Sequence, residues 1–301
     1  MRHGGVFRGI GVVVALLAAV GGPARADDTE SLQQLVSRVG RTRWTGSNSV
    51  ELLADPRQAW QARLDLVAAA RHHILISTFS WHNDTFGKEF RRVLMDRVDT
   101  RRREDVDLTV RVLADASALG LFSPAFNDLE REGADVRGFN RSSWGLTALY
   151  DGRMHDKIMV VDGAEGIIGG RNFADDYFDP QRWWLDLGVR VRGPVVDDLQ
   201  MIFLKSWEFT EFNRKFGRFL LPQEMLLNDL RTFWWTGRYP NGNSPLSKFM
   251  NSDYFPPRSE VAGSVPVAVL YDNPLLRRRA ASTDLLIALA GRARSQLDIM
   301  S

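Results

Sequence analysis

Residues 155–162 read His-Asp-Lys-Ile-Met-Val-Val-Asp, and residues 169–172 read Gly-Gly-Arg-Asn. The first stretch places a histidine, a lysine and an aspartate in the spacing H-x-K-x4-D. A chain with five histidines, five lysines and 26 aspartates among 301 residues matches this spacing by chance only about 0.007 times. The apolar run inside the motif predicts a buried strand, and residues two apart on a strand share a face. We therefore expect the imidazole of His155 and the ammonium of Lys157 to point to the same side.

These residue types suit chemistry at a phosphate. An imidazole can act as a nucleophile or a proton carrier near neutral pH, and an adjacent ammonium can bind an oxygen on which negative charge develops. An asparagine amide can donate to the same oxygens, whereas an aspartate at the strand end is expected to tie down backbone or basic side chains. Paired glycines leave room for close backbone approach or for a positive φ. The predicted catalytic residues are His155, Lys157, Asp162 and Asn172, with Gly169, Gly170 and Arg171 on the substrate-binding side.

Apolar periodicity alternates along the chain between helix and strand patterns. Strands that alternate with helices predict an α/β fold, with a mixed, largely parallel sheet flanked by helices on both faces. The predicted helices span residues 57–70, 86–103, 124–132 and 194–212, and the predicted strands span residues 73–79, 107–113, 134–139, 154–162 and 185–191.

The first 26 residues have the pattern of a secretory signal peptide. Arg2 and Arg8 precede an apolar run over residues 10–22, which is followed by an Ala-x-Ala cleavage site ending at Ala26. This run is shorter than the roughly 20 residues that span a bilayer as a helix. We expect export through the signal peptide to a periplasmic or membrane-associated location, with a retained membrane anchor as the alternative.

The rest of the chain divides into unequal parts. Residues 27–235 are predicted to form a first lobe that carries the motif, and residues 236–264, rich in Gly, Pro, Asn and Ser, an irregular linker. The stretch 70–76 (Ala-Arg-His-His-Ile-Leu-Ile) resembles the stretch 293–299 (Ala-Arg-Ser-Gln-Leu-Asp-Ile). This weak repeat predicts that residues 265–301 are the truncated start of a second, similar lobe.

Composition excludes several classes of function. The chain has no cysteine, which excludes disulfides, thiolate metal sites, a cysteine nucleophile and a cysteine lipid anchor. The formal charge is +2, but residues 1–26 carry three arginines and no acid, so residues 27–301 hold 36 basic and 37 acidic side chains. A chain without a basic excess has no general attraction for nucleic acid. We therefore expect no nucleic-acid partner.

Residues 155–162 and 169–172 together resemble the HKD motif of the phospholipase D superfamily, including the six-residue gap before the glycines. Residues 169–178 (Gly-Gly-Arg-Asn-Phe-Ala-Asp-Asp-Tyr-Phe) are most similar to the bacterial cardiolipin synthase branch. The resemblance covers about residues 60–211, and residues 265–301 resemble the start of that family's second lobe. It implies a phospholipase D-like lobe, so that the chain looks like the N-terminal half of such a protein.

The resemblance also implies a mechanism. In this family two HKD motifs meet between two lobes or two subunits; one histidine attacks phosphorus to form a phosphohistidine, and the other protonates the leaving alcohol. Lysines and asparagines of both motifs stabilise the charge, so no metal and no cofactor are implied. An acidic residue in the strand after the motif orients the nucleophilic imidazole, and Asp186 stands at that place here. A carboxylate at the far ring nitrogen fixes the tautomer and supports the cation.

The sequence departs from the family pattern in one respect, because no other histidine is followed by a lysine two residues later. The second motif is expected from a second lobe in cis or from homodimerisation. The function that fits best is transfer or hydrolysis at the phosphodiester of a phospholipid on a membrane surface. An exported nuclease of the same superfamily and a catalytically inactive lipid-binding fragment are the alternatives. Trp183 and Trp184 could lie at a lipid surface, although core packing is the default for tryptophan.

Overall fold

The computed structural model describes residues 13–15, 30–116, 124–139, 153–181, 184–216, 229–230, 232–233, 236, 238–240, 242, 244–258, 262–272 and 281–292. The predicted signal peptide therefore lies outside the described residues except for Val13–Ala15. Within these ranges no helix is both long enough and apolar enough to cross a bilayer.

One sheet organises the described chain, with the strand order β1-β9-β2-β8-β7-β6-β3-β4-β5. Its strands are β1 (Val13–Ala15), β2 (Trp44–Leu53), β3 (His73–Thr78), β4 (Thr109–Asp115), β5 (Asp135–Phe139), β6 (Ile158–Val161), β7 (Glu165–Gly169), β8 (Gly188–Arg192) and β9 (Val265–Leu270). The helices with described bounds are α1 (Leu32–Gly40), α2 (Pro56–Ala69), α3 (Thr85–Arg103), α4 (Pro124–Arg131), α5 (Asp175–Phe178), α6 (Val195–Phe216) and α7 (Ala281–Arg292), with a 3-10 helix at Ser247–Phe249.

The prediction of a mixed α/β sheet is confirmed, but the prediction that it is largely parallel is wrong. Only β3–β4 and β4–β5 are parallel among the described strand pairs, because α3 and α4 carry the chain back across the sheet between these strands. The other neighbours are antiparallel. The connection from β6 to β7 is too short for a crossover and turns through Asp162 and Gly163, whose φ angles are 52° and 60°.

Helices cover both faces of the sheet, as predicted. On β3, Ile74 and Ile76 pack in one core with residues of α2, α3 and α4, whereas Leu75 packs in a second core with residues of α6. Side chains on a strand alternate between faces, so that β3, buried along its whole length, contributes to both cores. This central strand and its neighbour β6 fix the place of the HKD motif.

The predicted strand over residues 154–162 is shorter in the structure. The ladder of β6 with β3 begins at the pair Ile158–Ser77, and that with β7 begins at the pair Ile158–Ile168. Both partner strands end within one residue of these pairs. Residues 153–157 consequently extend beyond the end of the sheet, where side chains of several elements can surround them.

Strand β9 joins the same sheet by antiparallel pairing with β2, and α7 lies against α1. Described residues of the predicted linker pack against the sheet and its helices: Leu246 and Phe249 are buried, and Tyr254 stacks on His73 with ring centroids 4.6 Å apart. The division into a first lobe over 27–235 and the start of a second over 265–301 stays a prediction, because residues 273–280 and 293–301 lie outside the described part.

Candidate active site

His155, Lys157 and Asn172 lie at one end of the sheet, where five chain segments meet. Parallel strands β3 and β4 end there, antiparallel β6 and β8 begin there, and β7 ends there at Gly169. The backbone N–H of Gly169 donates to the carbonyl of Lys157 at 3.2 Å. The sheet topology thus brings residues 153–157 and 169–172 together, although they are separated in sequence.

His155 is half-buried at this end of the sheet. Its ring packs edge-on against Phe79, which follows β3, with centroids 5.0 Å apart. Burial, and second the positive charge of Lys157, lower the pKa of His155 to about 4. The imidazole is therefore neutral at neutral pH, which is the form that can act as a nucleophile.

Lys157 is buried to 7% exposure beside the same aromatic ring. Its Nζ donates to the carbonyl of His155 at 2.9 Å and lies 5.5 Å from the centroid of Phe79. Burial lowers the pKa of Lys157 to about 7, against the opposing charges of three carboxylates, those of Asp156, Asp186 and Asp115. A buried ammonium of this kind favours an anionic ligand, because an anion keeps it protonated.

Asp115 at the end of β4 holds the backbone that precedes His155. Its Oδ2 accepts the N–H of Met154 at 2.8 Å, and its Oδ1 lies 3.4 Å from the guanidinium of Arg153. Sequence reasoning missed this residue. The available signal was an aspartate that closes an apolar strand at the same end of the sheet as the motif.

Asn172 links the glycine turn to the end of β3. Its Oδ1 accepts from the N–H of Ser80 at 3.2 Å and from the hydroxyl of Thr78 at 3.3 Å. Its Nδ2 donates to the hydroxyl of Tyr177 at 2.9 Å. Because an amide nitrogen carries two hydrogens, the same group can also donate to a substrate oxygen. Tyr177, which sets the orientation of this amide, carries no signal in the sequence that marks it as part of the site.

Asp186 occupies the space that the paired glycines leave open. Its Oδ1 accepts the N–H of Gly170 at 3.2 Å, and burial raises its pKa, an effect that Arg171 opposes. A Cβ at position 170 would lie 2.4 Å from the Asp186 carboxylate, and a Cβ at position 169 would lie 2.5 Å from the carbonyl of Leu187. The glycines thus permit the predicted close approach. Among the described contacts no hydrogen bond joins Asp186 to His155, so the orienting role of Asp186 stays a prediction.

We predict that Gly170→Ala lowers the free energy of unfolding by roughly 1–3 kcal/mol, because the added methyl group overlaps the Asp186 carboxylate. Urea unfolding of the full chain measures the change. Gly46→Ala is the matched control, since no atom lies within 4 Å of a Cβ built there. Equal stabilities of the two variants would contradict the contact.

Arg171 serves the local structure rather than the open side of the site. Its guanidinium donates to the carbonyls of Leu53 at 2.9 Å, Ala54 at 2.8 Å and Asp186, and the residue is only 2% exposed. These bonds connect the end of β2 to Asp186, which lies two residues before β8. The predicted substrate contact of Arg171 has no counterpart in this geometry.

Asp162 lies at the opposite end of β6 from His155. Its carboxylate accepts the backbone N–H groups of Arg71, His72 and His73, each at 2.8 Å. The prediction that it ties down backbone is confirmed. The prediction that Asp162 is catalytic has no counterpart in this geometry, because these bonds anchor β6 to the start of β3, at the end of the sheet opposite His155.

No group of three or more acidic, histidine or cysteine side chains suited to a metal ion occurs among the described residues. The polar groups that converge at the candidate site are His155, Lys157, Asn172, Tyr177, Asp115 and Asp186.

Comparison with known proteins identifies relatives that are similar to the chain in sequence. The chain is 29% identical over 204 residues to cardiolipin synthase A of Pseudomonas entomophila, an alignment that covers 66% of this chain and 41% of the relative. It is 26% identical over 265 residues to cardiolipin synthase A of Pseudomonas syringae pv. syringae, covering 82% and 54%. The chain therefore spans about half or less of the length of these relatives. No protein-family model matches it.

Similar solved structures include phosphatidylserine synthase of Haemophilus influenzae, with a TM-score of 0.44, 14% identity and coverage of 70% of this chain and 49% of that one. They also include Nuc, a phospholipase D family member from Salmonella typhimurium, with a TM-score of 0.41, 15% identity and coverage of 54% and 95%. The chain is thus similar in sequence to cardiolipin synthases over 66% to 82% of its length, and the sheet brings together its H-x-K-x4-D and Gly-Gly-Arg-Asn segments, which resemble the HKD motif of the phospholipase D superfamily.

Proposed function

We propose that this chain carries one half of the catalytic site of a phospholipid phosphatidyltransferase or phospholipase, with His155 as the nucleophile. The observation that carries the proposal is the half-buried imidazole of His155 next to the buried Nζ of Lys157, with both side chains against the ring of Phe79. The ammonium is suited to an anionic phosphodiester, and the imidazole to attack on its phosphorus.

In the proposed reaction a ring nitrogen of His155 forms a bond to phosphorus while the bond from phosphorus to the leaving alcohol oxygen breaks. Lys157 and the Asn172 amide stabilise the charge on the phosphoryl oxygens. The leaving oxygen takes a proton from a general acid on a second HKD motif. Water or a second alcohol then attacks phosphorus and releases His155, which gives hydrolysis or transfer respectively.

The second motif is proposed to come from a second lobe in cis or from another copy of the chain. The described residues contain one histidine with a lysine two positions later. Once His155 is bonded to phosphorus, its ring nitrogen cannot also protonate the leaving oxygen in that step. A separate proton donor is therefore part of the proposal.

A phospholipid substrate is supported by the function in the names of the relatives and by exposed apolar side chains beside the site. Trp184 and Leu185 are 58% and 68% exposed. The ring of Trp184 packs against Tyr177 with centroids 5.3 Å apart, and Tyr177 contacts Asn172. We propose that this apolar pair rests on the membrane surface, where a tryptophan ring is favoured.

The double variant Trp184→Ala, Leu185→Ala is expected to bind vesicles of phosphatidylglycerol and phosphatidylcholine roughly tenfold more weakly, because it removes apolar area that the membrane buries. A vesicle sedimentation assay measures the change. Leu286→Ala, Ile287→Ala on α7 is the matched control, since these side chains are 47% and 65% exposed. Equal binding by both double variants would contradict the assignment of this surface.

Export is the proposed route to that membrane, with cleavage after Ala26 and a periplasmic or membrane-associated product. The support is the pattern of charged start, apolar run and Ala-x-Ala site in residues 1–26. The N-terminal sequence of the protein recovered from its native host tests this proposal.

Thin-layer chromatography of labelled phosphatidylglycerol, run beside a DNA-nicking assay on the same preparation, tests the substrate class. We expect His155-dependent conversion of the lipid and no nicking. Nicking that depends on His155 would replace the lipid proposal with a nuclease, and binding of lipid without conversion in the presence of a second motif would indicate a non-catalytic protein.

A further inference from the structure

Phe79 is an aromatic side chain of the candidate site that has no part in the reaction steps above. It follows β3 directly and is half-buried. Its ring meets the imidazole of His155 edge-on, with centroids 5.0 Å apart, and the Nζ of Lys157 lies over the same ring, 5.5 Å from its centroid. One ring therefore lies beside both groups of the H-x-K pair.

Core packing is the usual role of a phenylalanine, but Phe79 does not belong to the apolar cores formed by the described residues. The preceding strand supplies Ile74, Leu75 and Ile76 to those cores instead. Within the described chain, the aromatic and cation contacts of the Phe79 ring are those with His155 and Lys157. The position of this ring is thus explained by the site rather than by the core.

The residues on either side of Phe79 hold it in place. The N–H of Ser80 donates to Oδ1 of Asn172 at 3.2 Å. The hydroxyl of Thr78 lies 3.3 Å from the same oxygen and 2.9 Å from the carbonyl of Ser80, and both neighbours are buried. Because these bonds fix the backbone at positions 78 and 80, the ring has a defined place relative to the motif.

The buried Lys157 depends on nearby groups that favour its protonated form. Its Nζ donates one of the three ammonium hydrogens to the carbonyl of His155 at 2.9 Å. The carboxylates of Asp115, Asp156 and Asp186 also favour the ammonium, but among the described residues none of them forms an ion pair with it. The face of an aromatic ring carries negative charge density, and it attracts an ammonium within about 6 Å of its centroid, most strongly where water is excluded.

We propose that Phe79 is a positioning residue, whose ring face holds Lys157 in its protonated form beside His155. The inference rests on the proposed function, in which the ammonium of Lys157 binds the phosphoryl oxygens. The attraction between ring and ammonium depends on the negative charge density of the ring face. Replacing ring hydrogens by fluorine withdraws that density and changes the shape of the ring little, so a ring that only filled space would not respond.

Lysine labelled with carbon-13 at Cε reports the protonation of each lysine side chain by NMR, and the chain has only five lysines. The signal of Lys157 is identified by its absence from Lys157→Met. In the full chain this signal should titrate with a pKa of about 7. Mono-, di- and trifluorophenylalanine at position 79 should lower that pKa stepwise, by roughly 0.5–1 unit for the trifluoro ring.

The same fluorinated residues at Phe249 are the matched control. The ring of Phe249 faces a different lysine, since the Nζ of Lys248 lies 5.0 Å from its centroid. Fluorination there should leave the titration of Lys157 unchanged. A pKa of Lys157 that stays fixed or rises along the series at position 79 would overturn the role of Phe79 and leave the proposed function standing.

Calorimetric titration with sulfate, which is tetrahedral like a phosphodiester, tests the connection to the reaction. At pH 7 the chain with trifluorophenylalanine at position 79 should bind sulfate roughly two- to fivefold more weakly than the unaltered chain, because a smaller fraction of Lys157 is protonated. Absence of sulfate binding that depends on Lys157 would overturn the proposed function, and with it any part of Phe79 in the reaction.

Discussion

His155→Ala is expected to abolish the covalent phosphoenzyme and to lower turnover by roughly 10⁴-fold or more, the scale seen when a covalent nucleophile is removed. Because burial lowers the pKa of His155 to about 4, nearly all of the imidazole is neutral at pH 7. A phospholipid whose leaving group is p-nitrophenol needs no proton donor, so a single motif should suffice for the first step. Phosphorus-32 in the lipid phosphate should then become bound to the protein and survive denaturation in alkali.

His72→Ala is the matched control, because His72 is exposed directly before β3 and makes its described hydrogen bonds through backbone atoms alone. It should keep the label and the burst of p-nitrophenol. The rate of labelling should fall as the pH falls through about 4, where His155 takes up a proton. Label retained by His155→Ala would assign the nucleophile to another residue.

The parts of the fold that could be predicted from the sequence are those set by local patterns. Helix α2 begins one residue from its predicted start because Asp55 caps it by accepting the N–H groups of Arg57 and Gln58. Helix α3 likewise follows the cap at Asp84. Because successive side chains of a strand point to opposite faces, the sequence of β3 also indicates which of its residues share a face. Strand direction is different, because it depends on whether a connection crosses the sheet or turns back, and apolar patterns do not record this.

The residues of the candidate site also fall into two groups, those that a local sequence pattern identifies and those that depend on contacts between distant elements. The H-x-K-x4-D spacing identifies His155 and Lys157 because two residues of one short segment supply both groups. Asp115 contributes through a contact with a segment distant in the sequence, and its one local signal, a position at the end of an apolar strand, does not show which residues it holds. Arg171 shows the opposite error: its place beside the glycines suggests a substrate contact, yet its donors face backbone carbonyls.

The pKa of Lys157 is set by two opposing effects in this geometry. Burial lowers its pKa, and three carboxylates oppose that effect from β4, from the motif itself and from the approach to β8. A lysine with a pKa of about 7 is only partly protonated at pH 7, and the binding of an anionic phosphodiester raises the protonated fraction, so that ligand binding and protonation are linked. We therefore expect the attraction of the chain for a phosphate to be strongest below about pH 7, where most of Lys157 carries its proton.

The second large effect is expected in the dependence of the rate on the leaving group. If the chain supplies only the half-site with His155, phosphatidylglycerol should react roughly 10²–10⁴-fold more slowly than it does when a second HKD motif is present, since general acid catalysis contributes about that much. The p-nitrophenyl lipid should lose far less, because p-nitrophenol leaves as a stable anion. The measured quantity is kcat/KM for the p-nitrophenyl lipid divided by kcat/KM for phosphatidylglycerol, determined for this chain alone and again with an added protein that carries a second HKD motif.

Size measurement on the same samples separates the two sources of the proton donor. A monomer should show a high ratio of kcat/KM for the p-nitrophenyl lipid to kcat/KM for phosphatidylglycerol. A dimer that joins two copies of His155 should show a low ratio. In the dimer, mixing with an excess of His155→Ala chains should restore the high ratio, because each mixed dimer keeps one nucleophile and lacks the partner's acid. Mixing with an excess of His72→Ala chains should leave the ratio low, because these chains keep His155. A monomer that cleaves both lipids at similar kcat/KM would mean that a donor within this chain serves the leaving group, and the half-site proposal would be wrong.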